Sequence, residues 1–196
     1  MNVLAYEIDG NCYLNMTNRC SNACTFCVRN GKETYEGYPL WLREGEPTAE
    51  QVLNALGDPT RYREVVFCGF GEPTYRMDIL PQIARRIKEL GGKTRLNTNG
   101  HGNLICGRRI APELVDVDLI NVSLNEVCSA DYDTLCRPIF EGAHDALRAF
   151  AKDCLAEGIA VVYSVVDILG EEKLQKARQI ADTDGVALRV RPYIEP

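Results

Sequence analysis

Short apolar runs of strand length alternate along the chain with longer stretches whose apolar residues recur at helical spacing. The runs are "CYLNMT" (12–17), "EVVFCG" (64–69), "KTRLNTN" (93–99), "DLINVSLN" (118–125), "IAVVYSVVD" (159–167) and "VALRVRPY" (186–193). The spacing between them predicts helices over 48–57, 77–91, 130–136, 143–157 and 171–182. Thr48 with Gln51 reads as a capping box, and Gly91-Gly92 as a helix stop. Six strands with intervening helices imply βαβ crossovers and a parallel sheet.

Parity within the strands refines that picture, because alternate residues of a pleated strand share a face. One parity is apolar (Leu14 and Met16, Val122 and Leu124, Leu188 and Val190) and is expected to face the helices. The other is polar: Asn15 and Thr17; Arg95, Asn97 and Asn99; Asn121, Ser123 and Asn125; Arg189, Arg191 and Tyr193. A doubly wound sheet covered on both faces is apolar on both, and a closed eight-stranded barrel is filled with branched hydrophobes. The expected fold is therefore α/β: a partial, laterally open (β/α)6 TIM-like barrel, read as a single domain over 1–196, with helices outside and a polar concave face.

Active sites of parallel sheets sit at the C-terminal strand ends. Here those ends run into three cysteines, "CGFGEPT", "NTNG", "SLNE", Asp167 and "RVRPY". Turn chemistry accounts for any one of them, but six converging on one rim point to a site. A long irregular stretch, 28–47, carries Tyr35, Tyr38 and Trp41; such loops are functional or mobile, and this one is placed to act as a flap.

Composition narrows the setting. With 45% hydrophobic residues the chain can bury a full core. Nine cysteines, odd in number and widely spaced, with no apolar signal segment, argue for a reducing cytoplasm rather than a disulfide scaffold. A net charge of −6 disfavours nucleic acid; Arg85-Arg86 and Arg108-Arg109 read as helix surfaces. No run approaches the roughly 18 apolar residues of a membrane span.

"TNRCSNACTFCVRN" (17–30) places Cys20, Cys24 and Cys27 within eight residues. A structural zinc ion needs four ligands, and only Cys12 stands by as a fourth thiolate. A four-iron cluster on three thiolates leaves one iron open for chemistry. Buried, unlinked thiols are the third alternative. Of the remaining cysteines, Cys12, Cys68 and Cys154 read as packed in the core. Cys106, Cys128 and Cys136 lie near strand ends, where packing is favoured over a second cluster. His101 reads as an exposed loop histidine or a proton relay on the rim.

The CxxxCxxC segment, with Phe26 before its third cysteine, resembles the cluster loop of radical S-adenosylmethionine (radical SAM) enzymes. "GFGEPT" resembles the family's Gly-Gly-Glu-Pro motif, with Phe70 in place of the first glycine, and "TNG" (98–100) and "SLN" (123–125) resemble its third- and fourth-strand positions. The likeness covers essentially the whole chain. The "NRCSNACTFCVR" wording and "LWLREGEPTAEQV" further resemble the TatD-associated radical SAM group. The chain is also similarly short to the 7-carboxy-7-deazaguanine synthases, although "CVR" stands where that subtype would carry a threonine.

The resemblance implies a [4Fe-4S] cluster on Cys20, Cys24 and Cys27 and S-adenosyl-L-methionine as cofactor, with Phe26, Gly71, Glu72, Thr98, Ser123, Asn125 and Arg191 as cofactor-binding residues. Reductive cleavage to a 5′-deoxyadenosyl radical would then abstract hydrogen from a substrate, either a peptide or protein or a small metabolite. Gly71 would let backbone approach the methionyl end, and Pro73 would hold Glu72 extended. Glu72 read alone is a solvated turn carboxylate, and Thr98 and Asn125 are turn and cap residues. Arg189 and Arg191 either present forks to a carboxylate or phosphate or blunt an exposed edge. No auxiliary cluster domain is expected. The implied partners are an electron donor such as flavodoxin or ferredoxin and a TatD-like hydrolase; a homodimer would close the open side. A non-enzymatic iron–sulfur or zinc redox module is the alternative class, which would not need all the strand-end motifs.

Overall fold

Every predicted strand run forms a strand in the computed structural model, which describes residues 2–193. They are β2 (Asn11–Leu14), β3 (Val65–Phe67), β4 (Thr94–Thr98), β5 (Leu119–Ser123), β6 (Ala160–Val166) and β7 (Ala187–Arg191). These six are parallel neighbours in chain order. A seventh strand, β1 (Ala5–Ile8), pairs antiparallel with β2. Among the described residues β1 and β7 have no partner on their outer sides, so the sheet stays open.

The extra strand has a local cause. Asp9 (φ 50°) and Gly10 (φ 76°) are both left-handed, joining Ile8 to its partner Asn11 by a two-residue turn. That is the type I′ geometry for which Asp-Gly is the preferred pair, because its twist matches the strands it connects.

Helices follow where the spacing predicts them: α1 (Ala49–Leu56), α2 (Leu80–Glu89), α4 (Ser129–Cys136), α5 (Ala143–Ala156) and α6 (Glu171–Asp184). Thr48 Oγ1 accepts from Gln51 N at 3.2 Å while Thr48 N donates to Gln51 Oε1 at 2.9 Å, closing the capping box. A short α3 (Gly102–Cys106) was not anticipated; five residues are too few to display a helical period. No helix of the described residues is long and apolar enough to cross a membrane.

The two parities separate as the pleat requires. Leu14, Phe67, Leu96, Ile120 and Val161 stand in register across five strands and are buried in the main core with Ile83 and Ile87 of α2 and Leu147 and Phe150 of α5. Each such side chain contributes about 1.5–3 kcal/mol by leaving water. Cys12 and Cys154 lie in the same layer, as expected of packing thiols. Val190 departs from the expectation: on the edge strand it remains 40% exposed, while Leu188 packs inward. At the far end of the sheet, buried Asp184 ties α6 to α5 and β6. It pairs with Arg148 (2.7 Å) and Lys152 (2.9 Å) and accepts from Tyr163 Oη at 3.0 Å.

The 28–47 stretch is tied down against the sheet. The Asn18 side chain holds both backbone groups of Leu42, Asn15 Nδ2 donates to Leu40 O at 2.7 Å, and Trp41 meets Phe70 edge-on with ring centroids 5.1 Å apart. Glu36 and Gly37, both left-handed, turn the chain so that Tyr35 and Tyr38 pair across it.

Candidate active site

The cysteine loop leaves β2 and threads between two other parts of the rim. On one side Glu72 N donates to Arg19 O at 2.7 Å; on the other Ala23 N and Thr25 N donate to Cys136 O and Leu135 O at the end of α4. The first contact makes glycine necessary at position 71, since a Cβ there would lie 2.3 Å from Thr17 O and 2.6 Å from Arg19 O. Its lack of a side chain thus serves the packing of loop on loop.

Beneath the loop runs a buried polar chain. Asn99 Nδ2 donates to Ser21 Oγ (2.8 Å), Ser21 Oγ meets His101 Nδ1 (3.1 Å), His101 Nε2 meets Tyr132 Oη (3.2 Å), and Tyr132 Oη accepts from Asn22 Nδ2 (3.1 Å). His101 is therefore not an exposed loop histidine: it is fully buried, and burial pushes its pKa down to about 4. A neutral imidazole suits the chain, offering one donor and one acceptor. Arg29 clamps the loop from above, donating to Asn18 O and Phe70 O at 3.1 Å each.

Glu72 is likewise not solvated. Buried at the end of β3, it accepts from Thr74 N (3.1 Å), Thr74 Oγ1 (2.8 Å), Thr98 Oγ1 (2.7 Å) and Asn99 N (2.7 Å). Burial raises its pKa against these four donors, which favour the anion. The carboxylate fastens the ends of β3 and β4 together. Thr98 donates its hydroxyl to Glu72 and accepts from Gly100 N (3.0 Å), a contact of the turn that follows β4.

Cys20, Cys24, Phe26, Cys27, Gly71, Glu72, Thr98, Ser123, Asn125 and Arg191 all line one cavity of about 240 Å³ at the C-terminal strand ends. Cys68 joins them, half-buried at the end of β3, so it faces the cavity instead of the core. Asp167 does not take part: its carboxylate accepts from Tyr193 N at 2.9 Å. Asn125 is left-handed (φ 58°), a conformation asparagine tolerates, and donates to Cys136 Sγ at 3.5 Å. Cys136 is buried, Cys128 is exposed and Cys106 lies against Thr74 O.

The residues fit an iron–sulfur cluster and a polar cofactor on two observations. The three loop thiols share one cavity, yet among the described residues no three Cys, His, Asp or Glu side chains converge to hold a single ion. Three thiolates match the three protein-held irons of a cluster that leaves one iron open, and Cys12, on the helix-facing side, cannot join them to complete a zinc tetrahedron. Burial pushes the Cys20 thiol up to about 12, with Glu72 adding to it. A hydrogen bond with the Cys136 thiol and burial raise Cys24, and burial raises Cys27. A cation bound there reverses that balance. Second, the side-chain atoms Asn22 Oδ1, Asn121 Oδ1, Asn125 Oδ1 and Arg191 Nε are buried without a hydrogen-bond partner, and all four residues line this cavity. Each such atom costs about 1–3 kcal/mol.

Sequence reasoning missed the His101–Tyr132 chain and the Arg29 clamp, whose partners lie far away in sequence. It also missed β1, for which Asp9-Gly10 is a readable hairpin signal.

A protein of Thermococcus kodakarensis described as a probable GTP 3′,8-cyclase is 28% identical over 145 residues, covering 70% of this chain and 44% of that protein. The crystal structure of Streptococcus suis SuiB bound to precursor peptide SuiA superposes with a TM-score of 0.70 at 16% identity, covering 93% of this chain and 39% of SuiB. SuiB bound to S-adenosylmethionine gives 0.67 at 17% identity, with 93% and 38% covered. The chain thus spans less than half the length of each, and the structural likeness bears out the open partial barrel. The sequence pattern of the Radical SAM superfamily matches residues 14–183, and the chain therefore belongs to that superfamily of enzymes, which use S-adenosylmethionine and a [4Fe-4S] cluster.

Proposed function

We propose that this chain is the core of a radical SAM enzyme in which Cys20, Cys24 and Cys27 hold the [4Fe-4S] cluster and the adjoining cavity holds S-adenosylmethionine. The observation that carries this reading is the unpartnered side-chain carbonyl oxygens of Asn22, Asn121 and Asn125 around the cavity lined by the three thiols. When bound, the pair supplies reductive cleavage of the cofactor and hydrogen-atom abstraction from a substrate.

The chain's own residues do the positioning. Ser123 and Asn125 offer a hydroxyl and a free carbonyl oxygen to the cofactor's polar groups, and Phe26 offers an apolar wall. Glu72 and Thr98 act one layer out, holding the two strand ends against the cysteine loop. Arg29 and the His101 chain fix the loop's path.

Within the superfamily we assign the chain to the TatD-associated group on its "NRCSNACTFCVR" and "LWLREGEPTAEQV" segments. This implies a cytoplasmic enzyme reduced by a flavodoxin or ferredoxin and associated with a TatD-like hydrolase. The matched proteins act on or bind different molecules, a nucleotide in one name and a peptide in another, so they select no substrate.

Anaerobic reconstitution with iron and sulfide tests the reading. The expected result is a brown cluster whose spectrum changes on adding S-adenosylmethionine, with 5′-deoxyadenosine released under dithionite. Cys24→Ala should abolish the cluster and leave the melting transition of the cluster-free chain within about 1 kcal/mol of wild type. A wild-type cluster that never responds to the cofactor overturns the assignment.

A further inference from the structure

A second cavity of about 400 Å³ adjoins the first across Cys68, Asn97, Asn121 and Arg191. It sits at the opening of the sheet: Ile8 and Asp9 line it from β1 and its turn, and Arg189, Arg191 and Pro192 from β7 and just beyond. The substrate of a reaction begun in the first cavity would have to occupy this neighbouring space.

Its charges are unevenly balanced. Arg95 is neutralised by Glu64, with contacts of 2.8 and 3.0 Å, and donates to Asn97 at 2.7 Å. The Arg191 side chain has no carboxylate partner and no hydrogen bond among the described residues; its Nε is buried and burial lowers its pKa. Arg189, exposed two residues earlier on the same face, has no carboxylate partner among the described residues either. Asp9, at the far rim, is the one carboxylate among the described residues that line the cavity, and the Cys68 thiol also faces the cavity, with its pKa raised by burial. An uncompensated guanidinium held out of water is costly unless something anionic meets it. The facing wall is aromatic: Tyr6 stacks on Tyr13 with centroids 5.3 Å apart, and Tyr35 and Phe70 continue the wall.

We infer that this cavity is the substrate site, and that it takes a small molecule bearing an oxyanion, a carboxylate or phosphate gripped by Arg191 and Arg189, on a flat or apolar body that lies against the tyrosine wall. The planar fork of arginine matches either oxyanion in two parallel hydrogen bonds. The inference rests on the radical SAM reading, because it makes this space the substrate's.

The test is calorimetric titration of the reconstituted, S-adenosylmethionine-saturated protein with phenyl phosphate, benzoate and neutral benzyl alcohol. At least one anion should bind ten or more times more tightly than the alcohol, and the tighter anion identifies the oxyanion. Arg191→Met and Arg189→Gln should each weaken that anion about tenfold, the loss of one charge-assisted contact. If Arg191→Met fails to show a cooperative melt, the exposed Arg189→Gln carries the test.

Neither anion binding by about 20 mM, equal binding of the alcohol, or undiminished anion binding in folded variants overturns the inference. So does competition between the anion and S-adenosylmethionine, which would assign Arg191 to the cofactor's carboxylate. Failure of the radical SAM reading appears separately, as a preparation without a cluster or without a cofactor-dependent spectral change, and does not depend on the anion titration.

Discussion

The two faces of this one sheet differ more than any two of its strands. On the convex face Leu14, Phe67, Leu96, Ile120 and Val161 are buried against helices in a layer of purely apolar contacts. On the concave face Asn97 and Asn121, the sequence neighbours of Leu96 and Ile120, line cavities together with Arg191, and Asn121 Oδ1 and Arg191 Nε lack partners. One face supplies stability, and the other surrenders some of it to remain ready for a ligand.

The largest test of this contrast is Leu96→Ala, which should cost about 2–5 kcal/mol in denaturant melts because the cavity it leaves is enclosed by β3, β5 and α2. A loss below about 1 kcal/mol would mean the convex layer is loosely packed and the contrast overdrawn.

A somewhat smaller effect comes from pH, at the seam where the concave face meets the cysteine loop. His101 is held near a pKa of about 4 in the folded chain, against about 6.5 when unfolded. The unfolded chain therefore takes up a proton below pH 6.5 that the folded chain refuses until about pH 4, so stability falls as pH falls through that window. The fall should reach about 3 kcal/mol in urea melts, and His101→Gln should flatten it. Asp184, depressed from 3.8 to about 2, adds its own loss only below about pH 4. Melts that stay level from pH 6.5 to 4.5 would show that the buried chain yields to protonation without cost.

Ser123→Ala should give the smallest change in stability, within about 0.5 kcal/mol, while weakening S-adenosylmethionine about tenfold through the loss of one hydrogen bond. A variant as damaging to the fold as Leu96→Ala would erase the distinction between the faces.

Much of this was legible in the chain because a pleated strand writes its two faces as alternate letters. Leu14 against Asn15 and Val122 against Ser123 disclose convex and concave sides without coordinates. The strand-end motifs named part of the cavity wall for a related reason: Gly71, Thr98, Ser123, Asn125 and Arg191 lie within four positions of a strand end on the one rim, although Asp167, at another such end, turns to Tyr193 N instead. Long-range partnership was illegible. Ser21, His101 and Tyr132 are separated by 80 and 31 positions and meet only because β4 lies beside the cysteine loop. Glu72 reads locally as a turn carboxylate, which accounts for its two bonds from Thr74, and only the neighbouring strand end reveals the two further donors, Thr98 Oγ1 and Asn99 N. The β1 hairpin was legible in Asp9-Gly10 but its strand is four residues long, with charged Glu7 inside it, and presents no apolar run.

Strand order identical to chain order bears on how the protein is made. As the chain emerges from a ribosome, each parallel strand finds the edge it needs already laid down, so assembly proceeds by successive addition instead of a search among distant segments. The thiols come out with the first parallel strand, and Arg191 leaves with the last. Iron and sulfide delivered during synthesis would therefore meet the cysteine loop before the final wall of its cavity exists, which gives a maturation system reason to wait for the completed chain.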